Sequence, residues 1–110
     1  MNRLLKEVIA SLTLFFQSVK PKWTKQPPEV LAVQLNSDLT IDCLASGYPQ
    51  PKIKLERFLN GKVLESYETG QLKVKYMKDR AGRYRCSAEN SIGRIEREFQ
   101  VKHYGKMPDF

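Results

Sequence analysis

Cys43 and Cys86 are the two cysteines of this 110-residue chain, and His103 is its one histidine. Thiols and an imidazole can hold a metal ion or act as nucleophile and base, and two thiols can oxidise to a bridge. These groups are too few for a structural zinc site, and the cysteines form no C-x-x-C pair. A disulfide is the better reading, and it favours an oxidising compartment. Cys43 lies 43 residues before Cys86, and a bridge closing a loop of that length stabilises by roughly 4 kcal/mol in the chain-entropy model. His103 follows the last apolar alternation and reads as a solvent-exposed linker residue. No G-x-S-x-G, H-E-x-x-H or phosphate-cradling glycine loop occurs, and no nucleophile has a base beside it. The chain therefore reads as a non-enzyme, with no catalytic residue, no metal and no cofactor.

Lysine and arginine number 19 against 12 acidic residues, a formal net charge of +7. That balance opens polyanionic partners such as sulfated glycans, acidic proteins, membrane surfaces or nucleic acid. Nucleic acid is disfavoured, because no aromatic residues interleave with the basic ones as stacking platforms. No apolar run approaches the ~20 residues of a transmembrane helix.

The elements that must carry these residues are short. From Pro21 onward, apolar residues alternate with polar ones between turn signals. Val30 and Val33 point inward in "EVLAVQ". Leu39, Ile41, Cys43 and Ala45 share one side of "LTIDCLA", as do Ile53 and Leu55 in "KIKL", and Leu72 and Val74 in "QLKVKYM". Tyr84, Cys86 and Ala88 share a side of "GRYRCSAE", and Phe99 and Val101 point inward near the end. Asn60-Gly61 is a hairpin signal. About seven such strands indicate an all-β sandwich.

Residues 1–20 differ in texture. Arg3 and Lys6 precede an apolar run from Val8 to Phe16, the layout of a secretory signal peptide. Glu7 and the bulky Phe16, three residues before a cut at Ser18, count against it. The alternatives are an amphipathic helix with Leu5, Ile9, Leu12, Phe16 and Val19 along one face, or a start foreign to the native chain.

Cys43, followed by Tyr84-x-Cys86-x-Ala88-x-Asn90-x-x-Gly93 with Gly82 just before, resembles an immunoglobulin-superfamily domain of the I-set or C2-like type. "GYPQPKI" resembles that family's B–C turn. "PKWTKQPPEV" resembles its split first strand, with Pro27-Pro28 at the break. The resemblance implies a two-sheet Greek-key sandwich over residues 21–103, with 104–110 as tail or linker. It implies a Cys43–Cys86 bridge joining the sheets, and Tyr84 as a corner residue bonding to backbone near the E–F turn. Gly82 would let that turn pass beneath the ring, and Asn90 and Gly93 would take positive φ in the F–G hairpin.

Three departures follow. Leu55 stands where the family carries its core tryptophan, so Phe58, Met77 or Trp23 is expected to refill that volume. Arg80 replaces the usual aspartate six residues before the second cysteine, with Asp79 one place early. Only ten residues separate Gly61 from Leu72, so strand C′ or strand D is short or missing.

Alternation also places Lys52, Lys54, Arg83, Arg85 and Arg94 on the outer face of the C–F–G sheet, together with Glu56, Glu96 and Glu98. This face is either a ladder of opposite charges, each pair contributing about 0.2–1 kcal/mol, or a binding face. Tyr48 and Ile92 are expected at neighbouring loop tips. The reading is an extracellular, secreted or cell-surface, protein-binding or adhesion module, self-association included. Its rivals are an intracellular sarcomeric or cytoskeletal scaffold module in the cytoplasm, and a sulfated-glycan-binding module using the basic face. No N-x-[ST] sequon occurs, which weakens the extracellular case mildly.

Overall fold

The computed structural model describes residues 18–103. The expectations for the N-terminal signal or helix lie outside the described residues up to position 17, and so does the tail at 104–110. Nine strands follow one another: β1 (Val19–Lys25), β2 (Val30–Val33), β3 (Asp38–Asp42), β4 (Leu44–Tyr48), β5 (Lys52–Leu59), β6 (Lys62–Tyr67), β7 (Gln71–Lys75), β8 (Gly82–Glu89) and β9 (Arg94–His103). One sheet has the order β2-β9-β8-β5-β6. Facing it are the ladders β1-β4 and β3-β7. Since β3 and β4 are separated by Cys43 alone, these two ladders share one layer. The fold is an all-β, immunoglobulin-like sandwich.

The chain changes layer early. β1 runs antiparallel to β4, and β2 runs parallel to β9 in the other sheet. The crossing falls at Pro27-Pro28, where a missing N–H and fixed φ end one ladder before the next begins. β1 starts at Val19, two residues before the boundary expected at Pro21. In β2 the inward residues are Leu31 and Val33, whereas Val30 is exposed, contrary to expectation. The parallel pairing of Val33 with His103 fixes the phase of this four-residue strand, too short to show its own period.

Period-two alternation builds the core. Leu39, Ile41, Cys43, Leu55, Cys86 and Val101 are fully buried. The Cys43–Cys86 disulfide joins the layers with a Cα–Cα distance of 6.4 Å. Tyr84 stacks on Phe99 with ring centroids 5.6 Å apart. The volume beside Leu55 is not filled as expected. Met77 is exposed, Phe58 turns to the outer face, and Trp23 packs at the edge of the core, half-buried. Tyr76, not foreseen as a core residue, is fully buried in the core cluster with Tyr84 and Phe99, and it continues the Leu72–Val74 alternation one step past β7.

The shortage between Gly61 and Leu72 falls on strand D. β6 pairs with β5, β7 pairs with β3, and only Glu68, Thr69 and Gly70 lie between them. Asn60 and Gly61 both take positive φ, +53° and +78°, as a two-residue hairpin with a right-handed twist requires.

At the E–F turn the Tyr84 hydroxyl donates to the Arg80 carbonyl oxygen at 2.6 Å, the corner that the resemblance implies. Gly82 has a different reason than expected. Its φ is +135°, and a Cβ there would meet nothing closer than the Phe58 oxygen at 3.8 Å. Backbone conformation, rather than close passage under the ring, calls for glycine. The replaced aspartate is answered by Glu65, whose carboxylate meets Arg57 Nε at 2.7 Å and Arg80 Nη1 at 3.8 Å. The Tyr67 hydroxyl, 2.8 Å from the same carboxylate, and Arg57 together hold Glu65 below the usual carboxylate range.

Burial pushes the Tyr84 phenol up to about 12. An unfolded phenol ionises near 10, so the stabilisation from the neutral buried ring is complete below that pH. It is lost as pH climbs from about 10 toward 12. Tyr84→Phe is expected to cost about 1 kcal/mol at neutral pH through loss of one hydrogen bond. The variant should also show a flatter alkaline limb than the wild type, which urea midpoints measured from neutral pH to the alkaline limit will check.

Candidate functional site

The outer face of the five-stranded sheet carries the predicted charged residues, and register decides how they meet. Across β5, β8 and β9 the rows read Lys52–Glu89–Arg94, Lys54–Ser87–Glu96, Glu56–Arg85–Glu98 and Phe58–Arg83–Gln100. Every row but the last mixes signs. Arg85 reaches Glu56 at 3.3 Å and Glu96 at 3.9 Å, and its guanidinium lies 4.6 Å from the Phe58 ring centroid. Glu56 is buried, so this pairing neutralises a carboxylate taken out of water. Arg94 holds Glu96 at 2.9 Å and Glu89 at 3.6 Å, which raises its already high pKa through the Glu96 hydrogen bond. Lys52, Lys54 and Arg83 make no ion pair among the described residues. The five cations thus share one face but divide into two engaged arginines and three free groups.

Apolar residues occupy one corner of that face, and the sequence reading missed them. Leu59 is 57% exposed, Val63 48% and Leu64 48%, all on the β5–β6 hairpin. A register shift between Arg57 and Phe58 marks a bulge there, which breaks the alternation that would turn one of these side chains inward. Beside them lies a hollow of about 430 Å³ lined by Phe58, Leu59, Arg83 and Glu98 among others. The signal lies in "FLNGKVL", where apolar residues flank both sides of the Asn60-Gly61 turn.

The opposite end of the sandwich is organised by Asn90. Its side-chain amide donates to the Val19 and Pro49 carbonyl oxygens at 2.8 and 2.9 Å. Its Oδ1 accepts from the Ile92 and Gly93 N–H groups at 2.9 and 3.1 Å. Neither Asn90 nor Gly93 is among the positive-φ residues, so the expected left-handed turn gives way to an Asx turn closed by the side chain. Tyr48 and Ile92 are exposed, as is Val19, which pairs with Tyr48.

His103 is not a free linker residue. It ends β9, half-buried, with no hydrogen-bond partner on Nδ1. Among the described residues no three His, Cys, Asp or Glu side chains group to hold a metal. No helix among them is long and apolar enough to cross a membrane.

Comparison with known proteins gives this geometry a family. The family model described as immunoglobulin domain matches residues 20–90. Mouse hemicentin-1 is 34% identical over 87 residues, covering 69% of this chain and 2% of that protein. The chicken neuronal cell adhesion molecule is 30% identical over 90 residues, covering 70% of this chain and 7% of that protein. The chain therefore spans only a small fraction of the length of these relatives. In the crystal structure of Dpr11 IG1 bound to DIP-gamma IG+IG2, one chain superimposes with a TM-score of 0.65 and 26% identity, over 80% of this chain and 49% of that one. With its bridged sheets, tyrosine corner and matched family model, the chain belongs to the immunoglobulin domain family.

Proposed function

We propose that this chain is an extracellular, non-enzymatic immunoglobulin module that binds another protein, and that the β5–β6 corner of the outer sheet face is its contact. The observation that carries the reading is the exposed group Leu59, Val63 and Leu64 beside the hollow under Phe58. Three large apolar side chains are exposed on one hairpin, and Leu59 and Phe58 share the hollow with Arg83 and Glu98. Apolar groups beside polar ones have the anatomy of a protein interface, an apolar centre with a polar rim. The disulfide supports an oxidising compartment. The likeness to the neuronal cell adhesion molecule and to a structure of two immunoglobulin proteins bound together supports a protein as the partner.

The test uses the full chain secreted from animal cells, displayed as a multimer, and screened against cells expressing a library of ectodomains, its own included. A binder is expected, and the double change Leu59→Asp with Leu64→Asp should weaken it by roughly thirtyfold, the ~2 kcal/mol of an interface hot spot. Lys73→Glu, on the other sheet, should leave binding unchanged. If the corner variant keeps its thermal midpoint and binds like the wild type, the contact is elsewhere. If the protein stays in the cytoplasm with two alkylatable thiols, the extracellular reading fails.

A further inference from the structure

The outer face bears a second concavity at the end opposite the apolar corner. A cleft of about 580 Å³ lies between the β4–β5 turn at Pro49 and Gln50 and the β8–β9 turn at Asn90 and Ser91. That volume is in the range of small-ligand sites, ~300–1,000 Å³. Lys52 and Lys54 line it from β5 and have no ion-pair partner among the described residues. The row partner of Lys52 is Glu89, already engaged by Arg94, and that of Lys54 is the uncharged Ser87. The two lysines therefore leave one strand about 7 Å apart at the backbone, and neither ammonium is held by an anion among the described residues.

The other lining groups narrow the ligand. Ser87 is 3% exposed and its hydroxyl takes no hydrogen bond from the described residues, so a donor–acceptor pair is left for a ligand. Gln50 and Ser91 add an amide and a hydroxyl at the rim, while Pro49 and Ile53 give an apolar wall. Glu68, Glu89 and Arg94 also line the cleft, and Arg94 holds Glu89 at 3.6 Å. Glu68, unpaired among the described residues, repels a densely sulfated chain or a run of acidic side chains, while both carboxylates keep oxygens that accept hydrogen bonds from hydroxyl groups. A neutral sugar would leave both lysines unused.

We infer that this cleft binds a saccharide bearing a single carboxylate among several hydroxyls, with Lys52 and Lys54 on the carboxylate and Ser87, Ser91, Glu68 and Glu89 on the hydroxyls. The site is separate from the apolar corner, so the two stand or fall independently.

Amide chemical shifts of the full chain are followed during titration with 3′-sialyllactose and with an unsulfated hyaluronan disaccharide, each bearing one carboxylate. Lactose, a heparin tetrasaccharide and a glutamate-rich peptide serve as comparisons. The expected result is saturable shifts at Lys52, Lys54, Ser87 and Ser91 with at least one carboxylated saccharide, and none with lactose. Lys52→Ala with Lys54→Ala should weaken that binding by about tenfold or more, a loss expected for two charge-assisted contacts, with an unchanged thermal midpoint. The inference is overturned if neither carboxylated saccharide shifts these amides, if lactose does so equally, or if the double variant binds as well as the wild type. Tighter binding of heparin or of the peptide at these residues overturns it in favour of a general polyanion or an acidic protein.

Discussion

Replacing Cys43 and Cys86 together by alanine is expected to lower the unfolding free energy by about 4 kcal/mol. The bridge closes a loop of sequence separation 43, and opening it returns that loop's conformational freedom to the unfolded chain. A domain of this size has about 5–15 kcal/mol in all, so the loss takes from about a quarter to most of the margin. The context makes the staple more necessary. Leu55 occupies the place where the family resemblance implies a tryptophan, and of the expected substitutes only Trp23 reaches the core, at its edge. Urea unfolding of the wild type and the double variant checks this, with the slope rising in the variant because its unfolded chain exposes more surface. A shift below about 1 kcal/mol would mean that Tyr76, Tyr84, Phe99 and the aliphatic core hold the layers without help, against the chain-entropy expectation.

Gly70→Ala is the second large effect, although only one methyl group is added. Gly70 is the last residue before β7, in the three-residue connection that replaces strand D, and its carbonyl accepts from the Cys43 N–H at 2.7 Å. A Cβ at this position collides with the Cys43 carbonyl oxygen and stands 2.7 Å from Ile53 Cγ2. The oxygen belongs to backbone beside the disulfide, so it cannot swing away as the end of a long side chain would. Overpacking of this kind costs about 3 kcal/mol, a fall in melting temperature of roughly 15 °C for a domain this small. Gly61→Ala is the comparison. Its φ is +78° with no atom within 4 Å of the added carbon, so only the backbone preference is lost, about 1 kcal/mol. Equal effects of the two substitutions would show that the connection yields and that the close approach is not required.

Much of the fold was legible because a strand repeats every two residues. The alternations in "LTIDCLA" and "GRYRCSAE" put Cys43, Tyr84 and Cys86 on inward faces without reference to any neighbour; the tyrosine corner and the bridge between the sheets were legible through the family resemblance. The Asn60-Gly61 turn was legible from the residues themselves: its positive φ angles are a property of two adjacent residues. Tyr76 was within reach of the same rule, had the alternation of β7 been carried one residue further. Gly70 was not, since its need for a missing Cβ comes from Cys43 and Ile53, both distant in sequence.

The surface was harder to read. Alternation places Lys52, Lys54, Arg83, Arg85 and Arg94 on one face, but whether each is free depends on what the adjacent strand brings alongside. The β5–β8–β9 register puts Glu56 beside Arg85 and Glu89 beside Arg94, and leaves Lys52 and Lys54 over a cleft. Phe58 goes outward under Arg85, the bulge in the β5–β6 pairing exposes Val63 and Leu64, and Asn90 closes its turn by reaching Val19 and Pro49. Covalent order and side-chain period determine which face a residue occupies in the longer strands, whereas the four-residue β2 took its phase from β9. Which residues meet across strands, and so which charges cancel and which hollows remain, is a lateral property that only the tertiary pairing decides.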